Sequence, residues 1–342
     1  MKRSFSTTLQ LIADLLSFGD NQEALANHLS SHMIDWDAVV IVASKHLMLP
    51  ALYCRLKAKE LLPLIPEDLN LYLEDIATIN RGRNKILLEE ALEVSKILEK
   101  EHIEHIFIKG VALLAGNAFN DPAERMVGDI DILVAPDQIH RAFDLLTDLG
   151  YSDTVTSIIS RKNHRHLPRQ VSEQQYGAIE LHNEVLIHKH KHLINSKHLL
   201  ENRQMVNGIA VPSKEDAIKI AILGLQINDR AHFVGFLNFK SIYDCLALGL
   251  QNRPDLIESL SQQKHAQSFL ALASVFFKEL KPYQLSHYSN FLKRYFVFKI
   301  QHPKLGGLAS SVLKIKRHIQ IRIGLLLHNE SYRKHVLNNK LK

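Results

Sequence analysis

The chain has 342 residues, 46% of them hydrophobic and 23% charged, which is the composition of an ordinary globular protein and excludes a disordered or fibrous chain. Its apolar runs are short and interrupted, and none reaches the ~18–20 residues needed to span a bilayer. A formal net charge of +6 suits phosphate-bearing ligands, but so modest an excess supports a nucleic-acid partner only weakly.

The first residues, MKRSFSTTLQLIADLLSF, start basic and turn apolar in the manner of a leader peptide. Asp14 interrupts that run and no small-residue cleavage site follows, so an amphipathic first helix is the better reading. Cys54 and Cys245 lie too far apart to suggest a zinc pattern or a disulfide framework, which fits a reducing cytoplasm. Leu9, Ile12, Leu15 and Leu16 repeat at helical spacing, as do Val39, Val42, Ala43 and Leu47. After Pro63 and Pro66 a long helix is expected from about Leu69 to Glu99, with Ile86, Leu87, Ala91, Val94 and Leu98 on one face. Residues 1–100 thus read as a helical N-terminal region.

The character changes near residue 103. Ile103–Ile108 is a short apolar run, Lys109-Gly110 opens a helix-like Val111–Ala118, and a second apolar run, Ile130–Val134, ends at Pro136. Gln138–Leu149 is helical in its spacing, and Thr154–Ile159, Ala178–Leu181 and Gly208–Val211 are strand-like. Strands alternating with helices over residues 101–212 predict a small α/β core with a mixed sheet. From Ser213, whose partner Asp216 makes a capping-box-like start, helices are expected over 214–228, 236–249, 265–280, 285–300 and 305–327. The expected whole is an α+β protein, mostly helical: a mixed-sheet core between a helical N-terminal region and a helical C-terminal region, 213–342.

The chemistry concentrates in Gly128-Asp129-Ile130-Asp131-Ile132-Leu133-Val134. Strand side chains alternate faces, so Asp129 and Asp131 project to one side while Ile130 and Ile132 turn to the core. Two carboxylates so placed can share divalent cations, and Mg²⁺ favours a few carboxylates together with phosphate oxygens. Lys109-Gly110 sits where a strand passes into a helix: glycine permits close approach of a phosphate, and the helix start presents free N–H groups to it. Arg125, four residues before Asp129, is a candidate bidentate phosphate ligand, or a partner for Asp121 or Glu124. Ile179-Glu180-Leu181-His182 offers a third carboxylate, Glu180, with His182 on the same side of its strand.

These residues together, with Ile108-Lys109-Gly110-Val111-Ala112-Leu113 ahead of them, resemble the uncharacterised nucleotidyltransferase family of the polymerase-β-like superfamily. The resemblance is best over 103–182 and weaker at Asn80, Asn84 and Phe239–Leu248. It implies Mg²⁺-dependent transfer of a nucleoside monophosphate from a nucleoside triphosphate to a hydroxyl acceptor, with release of pyrophosphate. Asp129, Asp131 and Glu180 would be the metal-binding and catalytic acids, and Lys109, Gly110, Arg125, Gly128 and His182 the nucleotide contacts. The acceptor, be it small molecule, protein or RNA, is not implied. The chain departs from the superfamily in having Gly110-Val111 where Gly-Ser or Gly-Gly is usual. A nucleotide-binding regulator without turnover and a basic nucleic-acid-binding adaptor are the alternatives.

Four other features invite a reading. His188, His190 and His192 alternate with lysine at metal-like spacing but lack nearby acids apart from Glu184, so a basic loop is the plainer account. Arg161, Lys162, His164, Arg165, His166 and Arg169 form a second basic cluster that would make a positive wall if it flanked the same cleft. Asp244 is expected to pair with Lys240 one turn earlier. The stripe Leu308, Val312, Ile315, Ile319, Ile323 and Leu326, interleaved with Lys314, Lys316, Arg317 and Arg322, can lie on an anionic membrane or pack on its own domain, and packing is the expectation.

Overall fold

A computed structural model of the chain describes residues 5–153, 165–282 and 284–338. Five helices open it: α1 (Phe5–Leu16), α2 (Gln22–Ser31), α3 (Trp36–Lys45), α4 (Leu49–Ala58) and α5 (Glu67–Lys100). The proline before α5 cannot continue a helix backwards, and Glu67 and Asp68 in the first turn complement the positive end of the helix dipole. Its buried residues Leu73, Ala77, Asn80, Asn84, Leu87, Ala91, Val94 and Leu98 recur every three or four positions, so one face stays covered from Leu73 to Leu98, while Ile86, expected on that face, points to solvent at 46% exposure.

The sheet follows. Strands β1 (His105–Ile108), β2 (Asp129–Val134), β3 (Ser152–Asp153), β4 (Gln170–Val171) and β5 (Ala178–His182) lie in the order β1-β2-β5-β4-β3. β1 and β2 are antiparallel, whereas β2 and β5 are parallel, with Asp131 opposite Glu180. Helix α6 (Lys109–Ala115) joins β1 to the loop before β2, and α7 (Ile139–Asp148) begins the crossover to β5. One sheet face, with Phe107, Ile130, Ile132, Ile179 and Leu181, packs on α5, α6 and α7. On the other face Ile106, Ile108 and Leu133 join the larger core shared by the N-terminal and C-terminal helices. The strand expected at 154–159 lies outside the described residues.

Helix α8 (Ser196–Glu201) leads to a hairpin of β6 (Gln204–Val206) and β7 (Ile209–Val211). Asn207 and Gly208 both have positive φ, 52° and 81°, the backbone of a two-residue hairpin turn. Then come α9 (Lys214–Leu223), α10 (Ala231–Val234), α11 (Phe239–Ala247), α12 (Pro254–Gln262), α13 (Lys264–Ala273), α14 (His287–Gln301), α15 (Pro303–His328) and α16 (Glu330–Asn338). The expected helix 214–228 is α-helical only to Leu223 and continues as a π turn, Gly224–Asn228. Helix α12 was not anticipated, although Pro254 in the first turn, followed by Asp255, is a helix-start signal.

The mostly helical α+β class with a mixed sheet is what the structure has. The α15 stripe is not packed as expected: Leu308 is 66% exposed, Ile315 60% and Ile319 53%. The reason is that α15 meets its neighbours through its opposite side, where Gly306 is buried and a Cβ would come within 2.8 Å of the Lys299 backbone on α14.

Candidate active site

The acids sit where β2 begins, beside β1 and β5. Because Ile108 pairs with Asp131 across β1–β2 and Asp131 with Glu180 across β2–β5, three adjacent strands bring Lys109, Asp131 and Glu180 to one place. Lys109 is the first residue of α6 and has φ 58°, a left-handed backbone unusual for a lysine. Its ammonium forms an ion pair with Asp131 Oδ1. His182, two residues beyond Glu180 and on the same side of β5, has its Nε2 2.8 Å from the same Asp131 oxygen and 3.6 Å from Glu180 Oε2.

The protonation of His182 follows from its other nitrogen. Arg165 Nη1 lies 3.1 Å from Nδ1, and a guanidinium only donates, so Nδ1 is the acceptor. The ring proton is therefore on Nε2 and points at Asp131. His182 has no exposed side-chain surface, so it meets the carboxylates from within the protein and not from solvent.

Burial alone would raise the Asp131 pKa, but the Lys109 charge and the His182 bond outweigh it and hold the carboxyl well below its usual range. Glu180 is lowered by its neighbour His182, against the effect of burial. Asp129 is raised, by partial burial and by the adjacent Glu180 and Asp131 carboxylates, although Arg169 opposes the shift through an ion pair. Oxygen and nitrogen atoms of Asp131, Glu180 and His182 lie within 4.8 Å of one another, close enough to share one cation. Asp129 stands on the same side of β2, its carboxylate turned to Arg169. With two carboxylates among its three donors this group suits a hard cation, and Asp129 lies outside it.

The basic residues divide. Segment 165–171 runs beside β5, through the bridge His166↔His182 and the β4 pairing of Gln170 with Ile179, and delivers Arg165 and Arg169 to the acids. Part of the expected positive wall is thus at the site, while Arg161, Lys162 and His164 lie outside the described residues. The His188–Leu193 turn follows the far end of β5, and His190 rests its ring on His265 of α13, centroids 5.3 Å apart.

Arg125 is not a free phosphate ligand. Its Nε donates to Asp244 Oδ1 at 2.6 Å and its Nη2 to Oδ2 at 3.1 Å, and both side chains are buried. Asp244 therefore pairs with Arg125 and not with Lys240, and Arg125 pairs with neither Asp121 nor Glu124. Adjacent Tyr243 donates to Glu124, so two consecutive α11 residues grip two consecutive loop residues. From the other side Asn80 and Asn84 of α5 donate to the carbonyls of Ala123, Pro122 and Arg125. These contacts explain why the resemblance reaches Asn80, Asn84 and the 239–248 helix.

Gly110 is buried, and a Cβ there would come to 3.0 Å from both Val127 methyl groups, so its bareness serves close packing of α6 on the loop. At Gly128 a Cβ would meet nothing within 4 Å, which leaves the entrance to β2 open. Beside the acids lies a cleft of about 180 Å³ between α6, the π turn and α11, lined by Lys109, Arg125, Arg165, Lys240, Asp229 and Asp244 among others. Asp229 and the π turn were not singled out in the sequence; the polar run Asn228-Asp229-Arg230 after an apolar helix was the available signal.

A mixed sheet carrying paired strand carboxylates, a third acid on the neighbouring parallel strand and a lysine at a strand-to-helix turn defines a nucleotidyltransferase-like centre. The family model described as an uncharacterised nucleotidyltransferase matches residues 32–280, and the chain belongs to that family. No curated protein and no solved structure matches it.

Proposed function

We propose that the chain is a Mg²⁺-dependent nucleotidyltransferase that moves a nucleoside monophosphate from a nucleoside triphosphate to a hydroxyl acceptor, releasing pyrophosphate. The observation that carries this reading is the parallel register of Asp131 with Glu180, which puts the later acid on the same sheet face as the aspartates. Had Glu180 pointed to the opposite face, the reading would have failed.

In this proposal Asp129, Asp131 and Glu180 hold the cation, which when bound would supply charge for the phosphates and for the attacking oxygen. Glu180, partly exposed and with its carboxyl held below the usual range by His182, would accept the acceptor's proton. His182 is a positioning residue that donates to Asp131 and keeps two carboxylates close. Lys109, whose ammonium pairs with Asp131 beside the cleft, would contribute positive charge to the triphosphate. Arg165 and Lys240 line the adjoining cleft as further phosphate partners, while Arg125 keeps the loop in place. Cys54 and Cys245 are both free and buried, in keeping with a reducing cytoplasm as the place of action.

Incubating the purified chain with each of the four α-labelled nucleoside triphosphates, Mg²⁺ and cell extract tests the reading. Label appearing in one acceptor class, with pyrophosphate released in step, is the expected result. Saturable nucleotide binding with no label transferred from any of the four would replace it with a binding role.

A further inference from the structure

Helix α15 has 26 residues, about 39 Å at 1.5 Å per residue, and contains no Asp or Glu. Leu308, Val312, Ile315, Ile319 and Ile323 are each 50–66% exposed and repeat every three or four positions, so they form one outward stripe. The helix holds to the body by its other side, through buried Gly306 and the partly covered Leu313 and Leu325. At about 100° per residue, Lys304 and Arg322 border one edge of the stripe and Lys316 the other.

Charge is distributed to match. Residues 287–342 contain twelve Lys and Arg against the single acid Glu330, a net +11, whereas residues 1–286 contain thirty against thirty-five, a net −5. The excess of cations in the whole chain therefore comes from the C-terminal segment alone. An apolar stripe bordered by cations asks for a partner that is apolar within and anionic at its face. A second copy of α15 does not qualify, since pairing stripes would bring Lys304, Lys316 and Arg322 together without an acid on either helix to offset them. Among the described residues no helix is long and apolar enough to cross a membrane.

We propose that α15 docks the protein on an anionic lipid bilayer, its Leu308–Ile323 stripe entering the headgroup–acyl boundary and its lysines and arginines meeting lipid phosphates. The inference is independent of nucleotidyl transfer: it rests on another face of the molecule and is read without nucleotide.

Flotation of the full chain with vesicles tests it. Wild type is expected to rise with phosphatidylcholine–phosphatidylglycerol vesicles and to stay behind with phosphatidylcholine alone. Ile315→Asp/Ile319→Asp should abolish flotation with its thermal midpoint unchanged, because both side chains are already in water. Lys304→Gln/Lys316→Gln/Arg322→Gln should weaken partitioning about 100-fold, at roughly fivefold per cation. Failure of the wild type to float with anionic vesicles, or flotation unaffected by the aspartate pair, overturns the proposal. So does a wild-type dimer in buffer that the aspartate pair converts to a monomer, which would assign the stripe to a second copy.

Discussion

Asp131 is the residue on which most of the site leans. It looks in sequence like a solvated strand-end carboxylate that costs little to remove, yet it is 7% exposed and bonded to both Lys109 and His182. Asp131→Ala would leave an ammonium and a buried N–H without an acceptor, a loss of folding free energy as well as of function. Asp131→Asn retains a carbonyl in place and is the cleaner variant. Its transfer rate should fall about 10²–10³-fold, the scale for losing one electrostatic stabiliser, while its thermal midpoint stays near that of wild type. A stabilisation by Mg²⁺ and ATP as large in Asp131→Asn as in wild type would remove Asp131 from the site. The pairing of Asp129 with Asp131 was legible because strand alternation is a local rule. The tautomer of His182 was not, because it is set by Arg165, seventeen residues away and across a strand.

Among the elements, α5 and α11 clamp the loop that enters β2, and this was the least legible part of the site. Arg125 shows why: an arginine four residues before a carboxylate strand looks like a phosphate ligand unless its partner, 119 residues later, is known. Removing one side of a buried, bidentate pair typically costs about 3–5 kcal/mol, because the other charge is left desolvated. Arg125→Ala and Asp244→Ala should each fall in that range by denaturant unfolding. Arg125→Met/Asp244→Leu should recover most of it, an outcome that a directly nucleotide-binding Arg125 gives no reason to expect. Local signals did mark several elements. The α5 stripe was periodic over residues 86–98, and of the β6–β7 hairpin only the second strand was anticipated, although Asn207-Gly208 is a hairpin-turn pair. The π turn at Gly224–Asn228, which packs on α10 and α13, has no comparable signature in the sequence.

For the molecule as a whole, the buried and half-buried histidines make an acid-side limit. Burial pushes His265 down to about 4 and also lowers His46, His105 and His232. In the unfolded chain these rings take up protons near the ordinary value of about 6.5, so below it the unfolded state binds more protons and is favoured. Stability should therefore decline as pH falls from about 6.5 towards 4, before the lowered carboxyls of Asp121 and Glu180 begin to protonate. The urea midpoint at pH 5 should be below that at pH 7; equal midpoints would mean that these rings reach solvent in the native state.

The crossover from β2 to β5 has a consequence for the order of folding. Asp131 and His182 are 51 residues apart, and parallel strands cannot pair until the intervening chain has closed back on the sheet. Helices such as α5 need only neighbouring residues and form early, but the acids meet last. Nascent or partly refolded chains will thus be largely helical with Asp131 and His182 still apart, so the meeting of these two residues reports that the whole topology has closed.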